Sequence, residues 1–131
     1  MSKEKGVLSK GVVKPVKPGS RSIGTYFIAV LSLLSVSILW KEPILLAGVL
    51  LSLSIVMILI GKDQIRLRLY LWVTCGFAGA LAEYIAIQGG AWDYTDHVDT
   101  IPIWLPLLWG IAAIFVYQHS QSGKLLKWFG L

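Results

Sequence analysis

The stretch that decides the fold is residues 43–61, which reads PILLAGVLLSLSIVMILIG and contains no charged side chain. A helix of about 20 residues, rising roughly 1.5 Å per residue, crosses a hydrocarbon core of about 30 Å. The apolar residues form a continuous block, whereas a membrane strand would alternate apolar and polar residues. The stretch therefore predicts one transmembrane helix.

Three further runs of the same kind flank this stretch. Residues 22–40 carry no charge, residues 69–92 carry only Glu83, and residues 100–123 carry none. The sequence therefore predicts an all-α fold, an integral membrane bundle of four transmembrane helices. The approximate spans are 23–40, 43–61, 69–88 and 101–118, within a transmembrane domain over residues 23–118.

The composition agrees with a membrane protein. Of the 131 residues, 56% are apolar and 15% are charged, whereas an ordinary soluble domain carries roughly 25% charged residues. The single cysteine, Cys75, excludes an internal disulfide framework and a metal cluster built on thiolates. We expect it to pack in the third span.

The basic residues set the predicted orientation. With the amino terminus inside, eleven of the twelve lysines and arginines lie in cytoplasmic segments, and only Lys41 lies outside. Positively charged loops next to spans stay in the cytoplasm, so both termini are predicted to be cytoplasmic, in the plasma membrane. The net charge of +5 is then a signal of topology, and no nucleic-acid partner is predicted.

The two ends of the chain are predicted to be tails. Residues 1–22 contain Pro15 and Pro18 without apolar periodicity, which favours a disordered basic cytoplasmic tail that rests on anionic lipid. A cleavable signal peptide is the alternative, but the long apolar run and the lack of a clear cleavage site favour a signal-anchor. Residues 119–131 are predicted to form a cytoplasmic interfacial tail.

The third span carries an unusual mixture of small and polar residues. Gly76, Gly79, Ala80 and Glu83 follow three- and four-residue steps, so they share one helix face that permits close helix packing. We expect this face to mediate assembly with a second copy or with a larger membrane complex. Glu83 should therefore face protein, where it is either protonated or matched to a donor. The sequence leaves these donors open: Ser35, Ser37, Lys41, Tyr84, His97, Trp104 and Trp109.

Two interpretations of Glu83 follow. It is a proton donor or ligand-binding group, as intramembrane carboxylates often are, or it is structural and hydrogen-bonded between helices. Pro106 is predicted to kink the fourth helix near the depth of Glu83. A small cleft in the outer leaflet could result, and its aromatic lining could alternatively be an interfacial belt. The predicted lining residues are Tyr84, Trp92, Tyr94, Trp104 and Trp109.

The loop after the third span is acidic. Asp93, Asp96 and Asp99 surround His97, and oxygen and imidazole ligands of this kind could bind a cation. The spacing fits no standard metal loop, so we interpret the segment as a solvated outer hinge. No metal and no cofactor are predicted.

The region from Glu83 through Gly90-x-Trp92-x-Tyr94 to residues 101–110, IPIWLPLLWG, resembles membrane proteins of the carotenoid hydratase and lycopene cyclase type. Those proteins also place a glutamate, a glycine-aromatic loop and a proline-led helix in succession. The resemblance covers about a third of the chain and implies that Glu83 protonates a polyene. The four-span size is also similar to that of the small multidrug exporters, but their glutamate lies in the first helix, which lacks one here.

Three functions are consistent with these residues. The first is a binding or assembly protein with a site around Glu83, in contact with membrane lipid, its own copies or a membrane-protein partner. The second is a small enzyme that transfers a proton from Glu83 to an isoprenoid or lipid-like substrate. The third is an oligomeric proton-coupled transporter.

Overall fold

The computed structural model describes residues 20–95 and 100–121, with side chains described from Ile23 onward. These residues form four α-helices and one short 3₁₀ turn, without a β-strand. The helices are α1 (Ser20–Leu39), α2 (Pro43–Ile60), α3 (Ile65–Gln88) and α4 (Leu105–Gln121), and the 3₁₀ turn is Lys62–Gln64. The predicted all-α class is confirmed.

Proline and glycine mark several helix boundaries. Pro43 opens α2, where its missing N–H needs no partner. Gly61 ends α2, and its N–H donates to the Ile58 carbonyl at 3.3 Å. The start of α3 at Ile65 lies four residues before the predicted boundary, so Arg68 belongs to the helix rather than to a flanking loop.

The predicted kink at Pro106 is wrong. Helix α4 begins at Leu105, not at residue 101, so Pro106 lies in its first turn. The first backbone N–H groups of a helix have no partner within the helix, and a proline there breaks no hydrogen bond. The helix also continues to Gln121, and it includes His119 and Ser120 from the predicted tail.

Like α2, helix α4 contacts each of the other three helices. Its most extensive contact is with α3. A small apolar core joins α1, α2, α4 and the residue before α4. The buried members of this core are Ile28, Leu46, Leu50, Met57, Ile58, Trp104, Leu105, Ile111 and Ile114.

The contact between α3 and α4 depends on small residues. A β-carbon on Gly76 would lie 2.8 Å from the Pro106 carbonyl oxygen, and one on Gly79 would overlap the Trp109 ring. On α4, a β-carbon on Gly110 would overlap the Trp72 ring. The face of Gly76, Gly79 and the buried Ala80 is therefore turned towards α4 of the same chain. Gly76 and Gly79 are not open to a second copy.

The outer surface of the bundle is apolar. Large apolar side chains are exposed on all four helices, including Phe27, Ile44, Phe77 and Val116. Two segments, Pro43–Ile60 and Lys62–Gln88, are long and apolar enough to cross a membrane, and Ile23–Leu39 is a shorter apolar helix. In the most apolar 18 residues of each long segment, 28% are buried in Pro43–Ile60 and 17% in Lys62–Gln88. The core helix of a soluble protein, in contrast, is mostly buried.

Some predictions fall outside the described residues. These are the tail as far as residue 19, the loop residues Asp96, His97 and Asp99, and the segment from residue 122 to the end.

Candidate functional site

Glu83 accepts hydrogen bonds at both carboxylate oxygens. The Trp109 Nε1–H of α4 donates to Oε1 at 2.7 Å, and the Tyr94 hydroxyl donates to Oε2. Glu83 is half-buried, and no Lys, Arg or His of the described residues pairs with it. We call Glu83, Tyr94 and Trp109 the Glu83 cluster. Both of its donors are neutral, and each carboxyl oxygen of Glu83 accepts one of their hydrogen bonds.

A glycine turn brings Tyr94 back to Glu83. The Ala91 N–H donates to the Ala86 carbonyl and the Gly90 N–H to the Ile87 carbonyl, both at 2.9 Å. Gly90 has a φ of 77°, the left-handed conformation that glycine adopts without steric cost. These features define a Schellman motif at the end of α3. The chain reverses there, so that Tyr94 reaches the last turns of the helix it has just left.

The environment of Tyr94 keeps its phenol protonated. Burial raises the pKa of the Tyr94 hydroxyl well above its usual range, and the hydrogen bond to Glu83 and the charge of that carboxylate raise it further. The Tyr94 ring also packs edge-on against Trp104, with ring centroids 6.2 Å apart. Tyr94 is thus positioned as a hydrogen-bond donor to Glu83.

A cavity of about 270 Å³ adjoins the Glu83 cluster. Its wall includes Leu33 of α1 and Glu83 of α3. The other lining residues are Tyr94, Trp104, Leu105, Leu108, Trp109 and Ala112. The cavity therefore combines one carboxylate, three aromatic rings and an aliphatic remainder. This mixture is typical of sites that hold an apolar molecule by a few polar groups.

The structure brings together some of the predicted site residues and separates others. Tyr94, Trp104 and Trp109 line the cavity beside Glu83, and Trp109 was among the predicted donors. Tyr94 was predicted as a lining residue only, and its role as a donor follows from the turn at Gly90. Tyr84 and Trp92 are exposed, at 42% and 50%, and neither lines this cavity.

The other predicted donors that the structure describes form no hydrogen bond with Glu83. The Ser35 hydroxyl donates to the Leu31 carbonyl at 2.7 Å, and Ser37 donates to the Leu33 carbonyl at 2.8 Å. Serine in an apolar helix commonly satisfies its hydroxyl in this way. Lys41 lies over the Trp40 ring at 5.2 Å. Trp104 is buried, and its Nε1–H has no hydrogen-bond partner.

Sequence reasoning missed a second polar cluster, at the opposite end of α3. Arg68 is 1% exposed, and its guanidinium donates to the Met57 carbonyl and to Gln118 Oε1, both at 2.6 Å. We call Arg68, Met57 and Gln118 the Arg68 cluster. Met57 lies in the last turn of α2, whose carbonyls lack partners within the helix. No pattern in the sequence distinguishes Arg68 from the neighbouring exposed Arg66.

Chemically, the Glu83 cluster offers acceptor positions and a negative charge next to an apolar cavity. Within residues 20–95 and 100–121, no group of three His, Cys, Asp or Glu side chains could hold a metal ion. Cys75 is a half-buried free thiol. No family model matches the chain, and neither the search of curated proteins nor the search of solved structures found a significant match.

Proposed function

We propose that this chain is a four-span protein of the plasma membrane that binds a lipophilic molecule beside Glu83. Two segments have the length and composition of membrane spans, and the exposed apolar residues extend to α1 and α4. If the protein were in water, exposing this apolar surface would cost about 25 cal/mol per Å². Lipid removes that cost. The excess of basic residues in the segments before α1, between α2 and α3, and after α4 supports cytoplasmic termini.

Cysteine labelling in intact cells tests this topology. In a Cys75→Ser background, a cysteine at Glu42, between α1 and α2, should react with an impermeant maleimide. A cysteine at Asp63, between α2 and α3, should react only after the cells are permeabilised. The four-span arrangement is contradicted if both positions react in intact cells. It is also contradicted if neither position reacts, whether or not the cells are permeabilised.

The cavity next to Glu83 is the observation that supports binding. A polar group inside a membrane protein is costly unless it is paired or functional, and the Glu83 cluster maintains a carboxylate at the wall of an apolar cavity. Leu33, Leu108 and Ala112 add an aliphatic surface to the same cavity. Such a site fits an amphiphile, with its polar end at Glu83 and its apolar part against the aliphatic wall.

Native mass spectrometry in mild detergent, followed by lipid extraction, tests binding. We expect a small apolar molecule to copurify with the wild-type protein and to be lost from Glu83→Gln, which keeps the size of the side chain. Glu42→Gln is the matched control, because Glu42 lies in the exposed loop before α2. A protein that is empty in every variant, with unchanged stoichiometry, contradicts the binding function and favours assembly.

An enzyme that protonates an isoprenoid substrate is the second candidate, supported by the position of Glu83 at the cavity wall. Its first step would need a Glu83 oxygen free to give a proton to the substrate, whereas Tyr94 and Trp109 already donate to both oxygens. We therefore place binding ahead of catalysis. A chemically altered form of the copurifying molecule, present with wild type and absent with Glu83→Gln, would reverse this order.

A further inference from the structure

The cavity beside Glu83 adjoins an apolar cavity along the groove between α1 and α4. The second cavity has a volume of about 260 Å³ and shares Leu33, Leu108 and Ala112 with the first. It extends along the helices past Ser32 and Ala29 to Tyr26 and Phe115. The side chains that line it are almost entirely apolar at their exposed surface. The two cavities meet at these three shared residues, and we call them together the α1–α4 groove, whose exposed polar surface lies mainly at the Glu83 end.

The polar end of this groove has the composition of a cation site. Glu83 is hydrogen-bonded by neutral donors only, and no cationic side chain of residues 23–95 and 100–121 neutralises it. Tyr94, Trp104 and Trp109 surround the same cavity. Aromatic faces attract a cation through their quadrupole, and several rings around one space are typical of sites for alkylated ammonium groups. A carboxylate inside such an aromatic wall adds a full opposite charge.

We propose that the groove binds a single-chain amphiphile with an alkylated ammonium head. The ammonium lies against Glu83 and the three aromatic rings, and the chain follows the α1–α4 groove towards Phe115. This inference rests on the proposed binding function and adds the charge of the ligand and the direction of its chain. An ammonium phospholipid fits less well, because its phosphate would lie close to the Glu83 carboxylate and would repel it.

Probes that differ in a single feature test the charge. With the protein in lipid nanodiscs, dodecyltrimethylammonium should bind saturably, at one molecule per chain, as measured by tryptophan fluorescence and native mass spectrometry. Its uncharged analogue, with carbon in place of nitrogen, should bind about tenfold more weakly, which corresponds to about 1.4 kcal/mol. Dodecylphosphocholine, which adds a phosphate to the same head, should also bind more weakly.

Variants test the position of the two ends. Glu83→Gln should lower the affinity for the ammonium about tenfold and leave the affinity for the uncharged analogue unchanged, whereas Glu42→Gln should affect neither probe. Ala112→Leu narrows the groove where the two cavities meet, so it should weaken the dodecyl probe more than a hexyl probe with the same head. Ala82→Leu is its control, because Ala82 is exposed on α3 and lines neither cavity.

The outcomes separate the two proposals. Saturable binding of the uncharged analogue with the same affinity as the ammonium, unchanged by Glu83→Gln, would overturn the ammonium site and leave lipophile binding intact. If none of the probes binds saturably and nothing copurifies with the protein, both proposals fail. Should Glu83→Gln not fold, as judged by circular dichroism, Ala112→Leu and the comparison of the three head groups on the wild-type protein still decide the inference.

Discussion

Two of the three charged side chains within α3 meet opposite environments. Arg68 and Glu83 are fifteen residues apart, about 22 Å along the helix axis. Arg68 is completely enclosed, and its guanidinium bonds to α2 and α4 and packs so closely that a β-carbon on Gly61 would overlap it. Glu83 is half-buried and borders a cavity. One end of α3 is tightly packed, whereas the other end leaves space beside its charge.

We expect this difference to separate a structural group, Arg68, from the proposed ligand-binding group, Glu83. The Arg68 cluster uses its charge to satisfy a helix-end carbonyl and to join three helices, which stabilises the bundle. The Glu83 cluster joins α3 only to α4 and to the loop that returns at Gly90. Polar residues that function in a binding or catalytic site commonly lower the stability of the folded protein or leave it unchanged. The predictions below test whether the two ends differ in this way.

Arg68→Met should have the largest effect on stability. The variant keeps an apolar stem but removes the hydrogen bonds from Arg68 to the Met57 carbonyl and to Gln118 Oε1. Hydrogen bonds to a charged group contribute roughly 1.5–3 kcal/mol each, so we expect a loss of about 3 kcal/mol or more. Thermal unfolding in detergent measures it. Arg66→Met, which changes an exposed arginine on the same helix, should lie within about 0.5 kcal/mol of wild type.

Gly76→Ala should destabilise the contact between α3 and α4. The added carbon would lie 2.8 Å from the Pro106 carbonyl oxygen, and a backbone atom cannot move aside without shifting the helix. Overpacking of this kind costs about 1–3 kcal/mol, as measured by the same unfolding experiment. Gly48→Ala is the matched control, because a β-carbon at Gly48 has no neighbour within 4 Å. Equal effects of both variants would show that the packing of α3 on α4 is not the cause.

Each apolar run in the sequence predicts one of the four helices. The runs are clear because charged residues are few and lie mainly where a run ends. The two ends of α2 agree with the predicted span to within one residue, because Pro43 begins the helix and Gly61 ends it. The predicted third span begins at residue 69 and excludes Arg68, because charge alone suggests an exposed loop. Its burial depends on the Met57 carbonyl and on Gln118, which lie far away in the sequence. No local pattern encodes that contact.

The candidate site was predictable only in part, for the same reason. A carboxylate in an apolar run identifies Glu83 by itself, and Trp109 is within reach on the next helix. Tyr94 becomes a donor only because Gly90 takes a left-handed conformation and turns the chain back. The kink at Pro106 was wrong because the helix start depends on tertiary packing around Trp104 and Leu105, which the sequence pattern does not reveal.

Glu83→Gln should change stability much less than Arg68→Met. The amide keeps one acceptor oxygen, and the variant removes an uncompensated charge while it weakens one hydrogen bond of about 1 kcal/mol. We expect an unfolding free energy within about 1 kcal/mol of wild type, together with the loss of the bound molecule. A loss of stability as large as that of Arg68→Met would identify Glu83 as a structural group and remove the contrast between the two ends.

The smallest effect concerns the titration of Tyr94. Burial is the main cause of its raised pKa, and the hydrogen bond to Glu83 and the charge of that carboxylate contribute less. The Tyr94 pKa should therefore fall in Glu83→Gln but stay above the usual value of about 10. A raised pKa means that folding favours the protonated phenol, so this contribution to stability is complete below about pH 10 and is lost as the pH rises towards the folded-state pKa. Ultraviolet difference spectra of wild type against Tyr94→Phe isolate this group, and an unchanged pKa in Glu83→Gln would show that the carboxylate is not charged beside it.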